Sequence, residues 1–327
     1  MDQLTSLGTA AGLSFAAGIN TYATVLIVGL AVRCGWVTNL PQGLEVLGST
    51  PILVVAGFMY VCEFIADKIL AFDSVWDAFH SFIRPVAGAG LAFASMGTAQ
   101  PEFVIVMTLL GGAVAGTTHA VKAGTRLVVN TSPEPFSNIA ISTVEDVGAF
   151  SLAWLAVAHP LLAGLIVAAL LVAIITFGPV LLRMVRFVLG AWGSKVGTWF
   201  GGRVLADELP GDHRAALGGV EPALVLACTA RRCGKAGRWR RGYLSLAGGR
   251  SAFTYNRWFR VWTEPLRLCP GSTAELREGW IADTLEVRED GGEVMAQFLV
   301  TKSRTVLAAR AVRAIAPARA SQGLEAA

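Results

Sequence analysis

The stretch EFIADKILAFDSVWDAFHSFIRP, residues 63–85, sits among long apolar runs yet carries Glu63, Asp67, Lys68, Asp73, Asp77, His80 and Arg84. Positions 73, 77, 80 and 84 recur at i, i+4, i+7 and i+11, which places them on one stripe of a helix. A helix facing lipid carries such a stripe at a cost of about 2.5–3.5 kcal/mol or more per charge at mid-bilayer. Two readings follow: a polar lining inside a helix bundle, or a helix lying at a membrane surface. The short apolar run that follows, 86–96, crosses a bilayer only if its helix begins near residue 78 and takes in His80 and Arg84. That requirement joins the two readings into one amphipathic helix that enters the bundle with its charges turned inward.

Around this stretch the composition is far from that of an ordinary soluble protein. Of 327 residues, 54% are hydrophobic and only 15% charged, against about a quarter charged in typical globular chains; the mean hydropathy is +0.57. The apolarity fills the chain before about residue 190, and the remainder is ordinary or basic. This implies a multi-pass membrane domain followed by a soluble one. MDQLTSLG at the start has no basic segment before its apolar run, which argues against a cleaved signal peptide. The five cysteines form no CxxC pair and no His-partnered metal set. A reducing cytosol accounts for Cys228, Cys233 and Cys269, with a Cys228–Cys233 disulfide as the alternative.

Six spans are expected: 9–32, 52–69, 78–96, 103–121, 147–157 and 161–182. The first contains GINTY (18–22), read either as a kink with small-residue packing or as a broken helix that offers backbone groups to a site. After the fourth span, His119, Lys122, Arg126 and Asn130 form a second stripe at i, i+3, i+7 and i+11. Pro133 and Pro135 end that helix. Asn138, Ser142 and Glu145 form a third stripe, with Asp146 beside it. Six spans put both termini on one side. The loop cations Lys68, Arg84, Lys122 and Arg126, with Arg183 and Arg186, make that side cytoplasmic by the positive-inside rule.

Residues 183–200 mix cations with Trp192, Trp199 and Phe200, the composition of an interfacial helix. A linker with Pro210 and Gly211 follows. ALVLACTARR, GYLSLAGG, SAFTYNRWFRVW and VMAQFLVTK read as strands between Gly-bearing turns, and TVLAARAVRAIAP as a closing helix. The expected fold is therefore an all-α polytopic membrane domain (1–185), an interfacial helix and linker (186–210), a small β-rich soluble domain with a C-terminal helix (211–317) and a disordered tail (318–327).

The polar stripes hold seven acids (Glu63, Asp67, Asp73, Asp77, Glu134, Glu145 and Asp146) against Lys68, Arg84, Lys122 and Arg126, with His80 and His119 able to titrate. Reciprocal ion pairs that fix helix register are one account. A site for a small solute or ion is another, built from Glu63, Asp67, Asp73, Asp77, His80, Arg84, His119, Lys122, Arg126, Asn130, Glu134, Asn138, Glu145 and Asp146. Asp73, Asp77 and His80 could form half of a divalent-cation site, although no recognised metal signature is present. Arg84, Lys122 and Arg126 could clamp a lipid phosphate. Catalysis, with His80 or His119 as base, ranks below binding or transport. In the tail, Arg231, Arg232, Lys235, Arg238, Arg240 and Arg241 cluster with Trp239 and Tyr243. Beside a membrane this patch suits anionic lipid headgroups better than nucleic acid. Bilayer lipid, a small solute or ion, and a second copy of the chain are the partners expected.

GINTY, EFIADK, DSVWDAFHSFIRP, THAVKAGTRLVVN, SPEPFSN and STVED occur in the order that resembles a bacterial integral-membrane family, the domain of unknown function 4126. The resemblance covers about residues 8–185 and implies a polytopic architecture with these polar motifs, not a reaction. The tail is similar to a bacterial pleckstrin-homology-like domain in GYLSL, FTYNRWFR and the final helix. That likeness offers the alternative of a membrane-anchored scaffold whose soluble domain binds lipid or a partner protein.

Overall fold

The computed structural model describes residues 3–315 except 39, 70, 71, 98, 132–134, 203, 205, 248, 249, 258, 270, 290 and 291, and only the backbone of 135–138 and 250. Pro133, Glu134, Pro317 and the expected tail 318–327 lie outside the described residues, as does the side chain of Asn138. The chain divides into two compact units, residues 1–181 and 182–327.

The first unit is helical. Its elements are α1 (Gln3–Ile19), α2 (Thr21–Arg33), a short α3 (Gln42–Glu45) running into a 3₁₀ turn, α4 (Thr50–Ala66), α5 (Phe72–Ser95), α6 (Pro101–Val129) and α7 (Pro135–Ala158), then the start of α8 (Pro160–Trp199). Prolines open α6, α7 and α8 at positions where their missing N–H is unneeded. α1 lies against α5, α6 and α7, and α5 packs along α6. The core consists of small and branched residues such as Leu13, Ala16, Ala17, Leu91, Ala153 and Ala156. Small residues allow backbones to approach: the Ser14 hydroxyl donates to the Gly88 carbonyl across 3.0 Å.

The span count of six is not reached. Among the described residues three helices are long and apolar enough to cross a membrane, Pro101–Val129, Ile139–Ala158 and Pro160–Trp199, or four if the pair Gln42–Gly48 and Thr50–Ala66, bent by 70°, is one broken span. The expected first span is divided at Asn20 into α1 and α2, of 17 and 13 residues. The expected third belongs to a single 24-residue α5 that runs through Pro85 and carries the whole charged stripe. A count based on apolar runs cannot see a helix break set by one side-chain cap, nor charges compensated by neighbours. The interfacial helix expected over 183–200 is the continuation of α8, which runs unbroken to Trp199.

Among its described residues the second unit contains the end of α8, a short α9 (Gly211–Ala216), seven strands and α10 (Thr305–Ile315). The strands are β1 (Leu224–Cys233), β2 (Arg240–Ala247), β3 (Arg250–Arg257), β4 (Arg260–Leu266), β5 (Thr273–Arg277), β6 (Ala282–Arg288) and β7 (Val294–Thr301). They form one antiparallel sheet in the order β4-β3-β2-β1-β7-β6-β5. SAFTYNRWFRVW, read as one strand, is instead the β3–β4 hairpin: Arg257 pairs with Arg260 across a two-residue turn. There Phe259 adopts φ 62, the left-handed backbone that such turns require. A bulge between Ala230 and Arg232 shifts the β1–β7 register by one residue. That shift returns Cys233 to the face of Cys228 and Ala230, and all three are buried. Both thiols are free, and burial pushes Cys233 up to about 12 and Cys228 higher still, so neither is a reactive thiolate. α10 lays Leu307, Ala308, Ala311 and Ile315 onto the core of Leu226, Leu244, Phe253, Leu285 and Phe298.

Candidate functional site

Asn20 is where the site begins. Its side-chain oxygen accepts from the Ala23 N–H at 2.9 Å, capping α2, while its amide donates to Asp146 Oδ1 at 3.0 Å. The break leaves the last carbonyls of α1 facing the bundle, and cations take them. Arg84 Nη1 donates to the Gly18 carbonyl at 3.0 Å, and Lys122 Nζ to the Ile19 carbonyl at 3.0 Å. The C-terminal end of a helix carries partial negative charge, so this is where a cation is favoured. Both accounts of GINTY apply together: Gly18 packs close to Ala115 and Thr118, and the broken helix offers its carbonyls to the site.

From there the network runs through four helices. Arg84 Nη2 reaches Glu63 Oε1 at 2.7 Å and stands 3.6 Å from Asp77 Oδ1. Lys122 Nζ bridges Glu63 Oε1 and Asp67 Oδ2, both at 3.3 Å, with Glu145 Oε2 at 3.9 Å. Arg126 Nη2 joins Asp67 Oδ2 at 2.8 Å to Glu145 Oε2 at 2.5 Å. Glu63, Asp67, Asp77, Arg84, Lys122 and Arg126 are all buried. Their stripes meet because α5 and α6 run antiparallel. Asp73 accepts from Asn130 Nδ2 at 2.8 Å at one end, and Arg84 meets His119 at the other.

Both histidines are fully engaged. His119 Nε2 donates to the Asp77 carbonyl at 2.9 Å, leaving Nδ1 to accept from Arg84 Nη1 at 2.9 Å. His80 Nδ1 donates to the Trp76 carbonyl at 2.8 Å, and its Nε2 lies 3.1 Å from the Tyr22 hydroxyl, which donates to it. One donating and one accepting nitrogen is the pattern of a neutral imidazole. His80 is thus held by Tyr22 and by the carbonyl and stacked ring of Trp76, and makes no ion pair among the described residues.

Asp73, Asp77 and His80, offered above as half of a metal site, go to three different partners. Among the described residues no group of three His, Cys, Asp or Glu side chains is arranged to hold a metal ion. The three cations expected to clamp a phosphate already hold carboxylates and helix carbonyls. Lys68 stands apart, over the Phe64 ring and 3.4 Å from Ser142 Oγ. Glu134 and the Asn138 side chain fall outside the described residues. Asn20, Tyr22 and Ser81, whose hydroxyl lies 3.1 Å from His119 Nε2, were not assigned from sequence. The signal available for Asn20 was its position between two apolar runs, where an N-cap residue belongs.

Among the described residues the linked network and its Asn20 partner hold five carboxylates, Glu63, Asp67, Asp77, Glu145 and Asp146, against three cations, Arg84, Lys122 and Arg126. Several of the buried oxygens accept no hydrogen bond from the described residues: Glu63 Oε2, Asp146 Oδ2 and both oxygens of Asp77. A buried acceptor left unmet costs about 1–3 kcal/mol, more when charged. These acceptors would be met by a proton, a cation or a hydrogen-bond donor.

In the second unit, the six basic residues of the expected lipid patch gather where β1 ends and β2 begins. Arg231, Arg232, Lys235, Arg238 and Arg241 are exposed, and Arg240 is half-buried with Nη1 3.5 Å from the Asn256 carbonyl. The β3–β4 turn lies at the same end of the sheet, with Arg257, Phe259, Arg260 and Trp262 exposed.

A sequence model described as a domain of unknown function, DUF4126, matches residues 7–179, which include every member of the buried network. No curated protein and no solved structure matches the chain.

Proposed function

The chain belongs to the DUF4126 family, and from that premise we propose that its helical unit lies in the cytoplasmic membrane and binds or moves a small solute or ion at the buried network. The observation that carries this reading is the surplus of carboxylates over cations, with both Asp77 oxygens lacking a donor among the described residues. Intramembrane carboxylates beside a broken helix suit a cation- or proton-coupled path. A network that only fixed helix register would match its charges and meet its acceptors. The C-terminal unit is placed in the cytoplasm, because Arg183 and Arg186 follow the apolar part of α8. Arg84, Lys122 and Arg126 support this less than loop cations would, since they are buried in pairs.

The test is flux of candidate cations and protons into proteoliposomes holding the full chain. Asp77→Asn is expected to reduce flux at least about tenfold, the effect of losing one charge-assisted contact, with the protein still folded. Wild-type flux in Asp77→Asn and in His80→Ala would overturn the transport reading.

The scaffold alternative is favoured by one feature: Phe259 is wholly exposed in a strained φ at the tip of a hairpin flanked by Arg257 and Arg260. An apolar tip within a basic rim suits insertion into an anionic membrane surface. On this reading, removal of residues 206–327 abolishes function, while neutralising Asp77 affects stability only.

A further inference from the structure

The buried network is not closed on all sides. Within the helical unit a cleft of about 550 Å³ runs between α1, α6, α7 and α8, in the size range of small-molecule sites. Its walls are apolar, formed by residues such as Ile19, Val121, Val144, Leu170, Ile174 and Phe177, and the charged side chains that reach it are Lys122 and Glu145. Lys122 has its ammonium occupied by the Ile19 carbonyl, Glu63 and Asp67. Glu145 differs. Both hydrogen bonds from Arg126 go to Oε2, and no described residue donates to Oε1. At 16% its side chain is the most exposed of the network.

We propose that this cleft admits the site's ligand sideways, from the apolar phase, and that the ligand is an amphiphile with a cationic amine headgroup and an alkyl body. The amine meets Glu145 Oε1, and the alkyl chain lies along α8. The proposal rests on the binding reading above and deepens it by naming the ligand class. Charge complementarity selects the headgroup. In a low-dielectric surround, a network with more carboxylates than cations attracts positive charge, and a carboxylate oxygen can only accept. A carboxylate or phosphate headgroup would meet repulsion there. A neutral alcohol would gain a single uncharged hydrogen bond.

The experiment uses the full chain in nanodiscs of zwitterionic lipid. Three probes of equal length, a long-chain amine, alcohol and carboxylic acid, each carry a diazirine in the tail, and crosslinked peptides are read by mass spectrometry. The amine is expected to label cleft residues of α7 and α8 about tenfold more than the alcohol, the ratio one charge-assisted contact supplies. Glu145→Gln keeps the shape and is expected to bring the amine down to the level of the alcohol. Gly148 also lines the cleft, and a Cβ added there meets nothing within 4 Å. Gly148→Leu should therefore fold normally and exclude all three probes, which keeps the proposal testable if Glu145→Gln does not fold. Equal labelling by all three probes, or amine labelling unchanged in Gly148→Leu, would overturn it. The two readings fail separately. Loss of small-cation flux in Asp77→Asn without selective amine labelling would leave the site standing and remove lateral entry. Selective labelling without any flux would leave the amphiphile site and remove transport.

Discussion

At the scale of the residue, Arg84 joins four groups from four helices, α1, α4, α5 and α6. One guanidinium meets a helix carbonyl, a histidine nitrogen and Glu63, and stands beside Asp77. A planar fork of donors can do this, whereas a lysine ammonium cannot reach all four from one position. Arg84→Met leaves Glu63 and Asp77 buried beside a neutral chain, and breaking a buried pair from one side costs about 3–5 kcal/mol. Thermal unfolding in detergent micelles should show this loss, with Arg84→Lys recovering only part of it. Asn20 separates two roles in one side chain. Asn20→Ser keeps a capping oxygen and loses the bridge to Asp146. Asn20→Asp keeps the cap but sets two carboxylates against each other. The expected order of melting temperature is Asn, then Ser, then Asp; a cap-only role would leave Asp equal to Asn, since the two cap equally well.

At the scale of the element, the antiparallel pair α5 and α6 brings the stripes together, and that pairing depends on small residues. A Cβ at Gly88 would meet the Ala115 methyl and stand 2.9 Å from the Gly111 carbonyl oxygen. Gly88→Val therefore forces the helices apart and is expected to cost about 1–3 kcal/mol, the usual range for overpacking, and to weaken the Asp73–Asn130 and Arg84–His119 contacts together. The fall in stability on unfolding, with a parallel loss of flux, would check this. The stripes themselves were legible, because charges at helical spacing within apolar sequence have few affordable placements. Asp73, Asp77, His80 and Arg84 are all buried, as are His119, Lys122 and Arg126. The role of Asn20 was not legible, because GINTY reads as a kink with small-residue packing or as a broken helix until the partner Asp146, 126 residues away, is in place.

At the scale of the whole molecule, the two units have separate cores and should respond separately to pH. His213 is buried in the second unit against the Tyr243 ring, with Nδ1 2.9 Å from Thr254 Oγ1, and burial lowers its pKa. The folded unit thus resists the proton that the unfolded chain accepts near the ordinary histidine value of about 6.5. Its stability is full above that value and declines as pH falls through it. Replacing His213 with Gln should flatten that decline between about pH 7 and 5, as read by unfolding of the full chain followed through tryptophan fluorescence.

Composition and periodicity by themselves determined an apolar helical region, a β-rich region with a closing helix, and the helical faces that carry charge. These are local properties, set by side-chain spacing along one element. Only the folded structure shows that Asn20 divides one apolar run into two helices, and that neighbouring ions compensate the charges carried by α5. It also decided which charges pair, and that Glu145, with Lys122, is where the network borders an apolar cleft. Those outcomes depend on which helices are neighbours, and no spacing within a single segment encodes that.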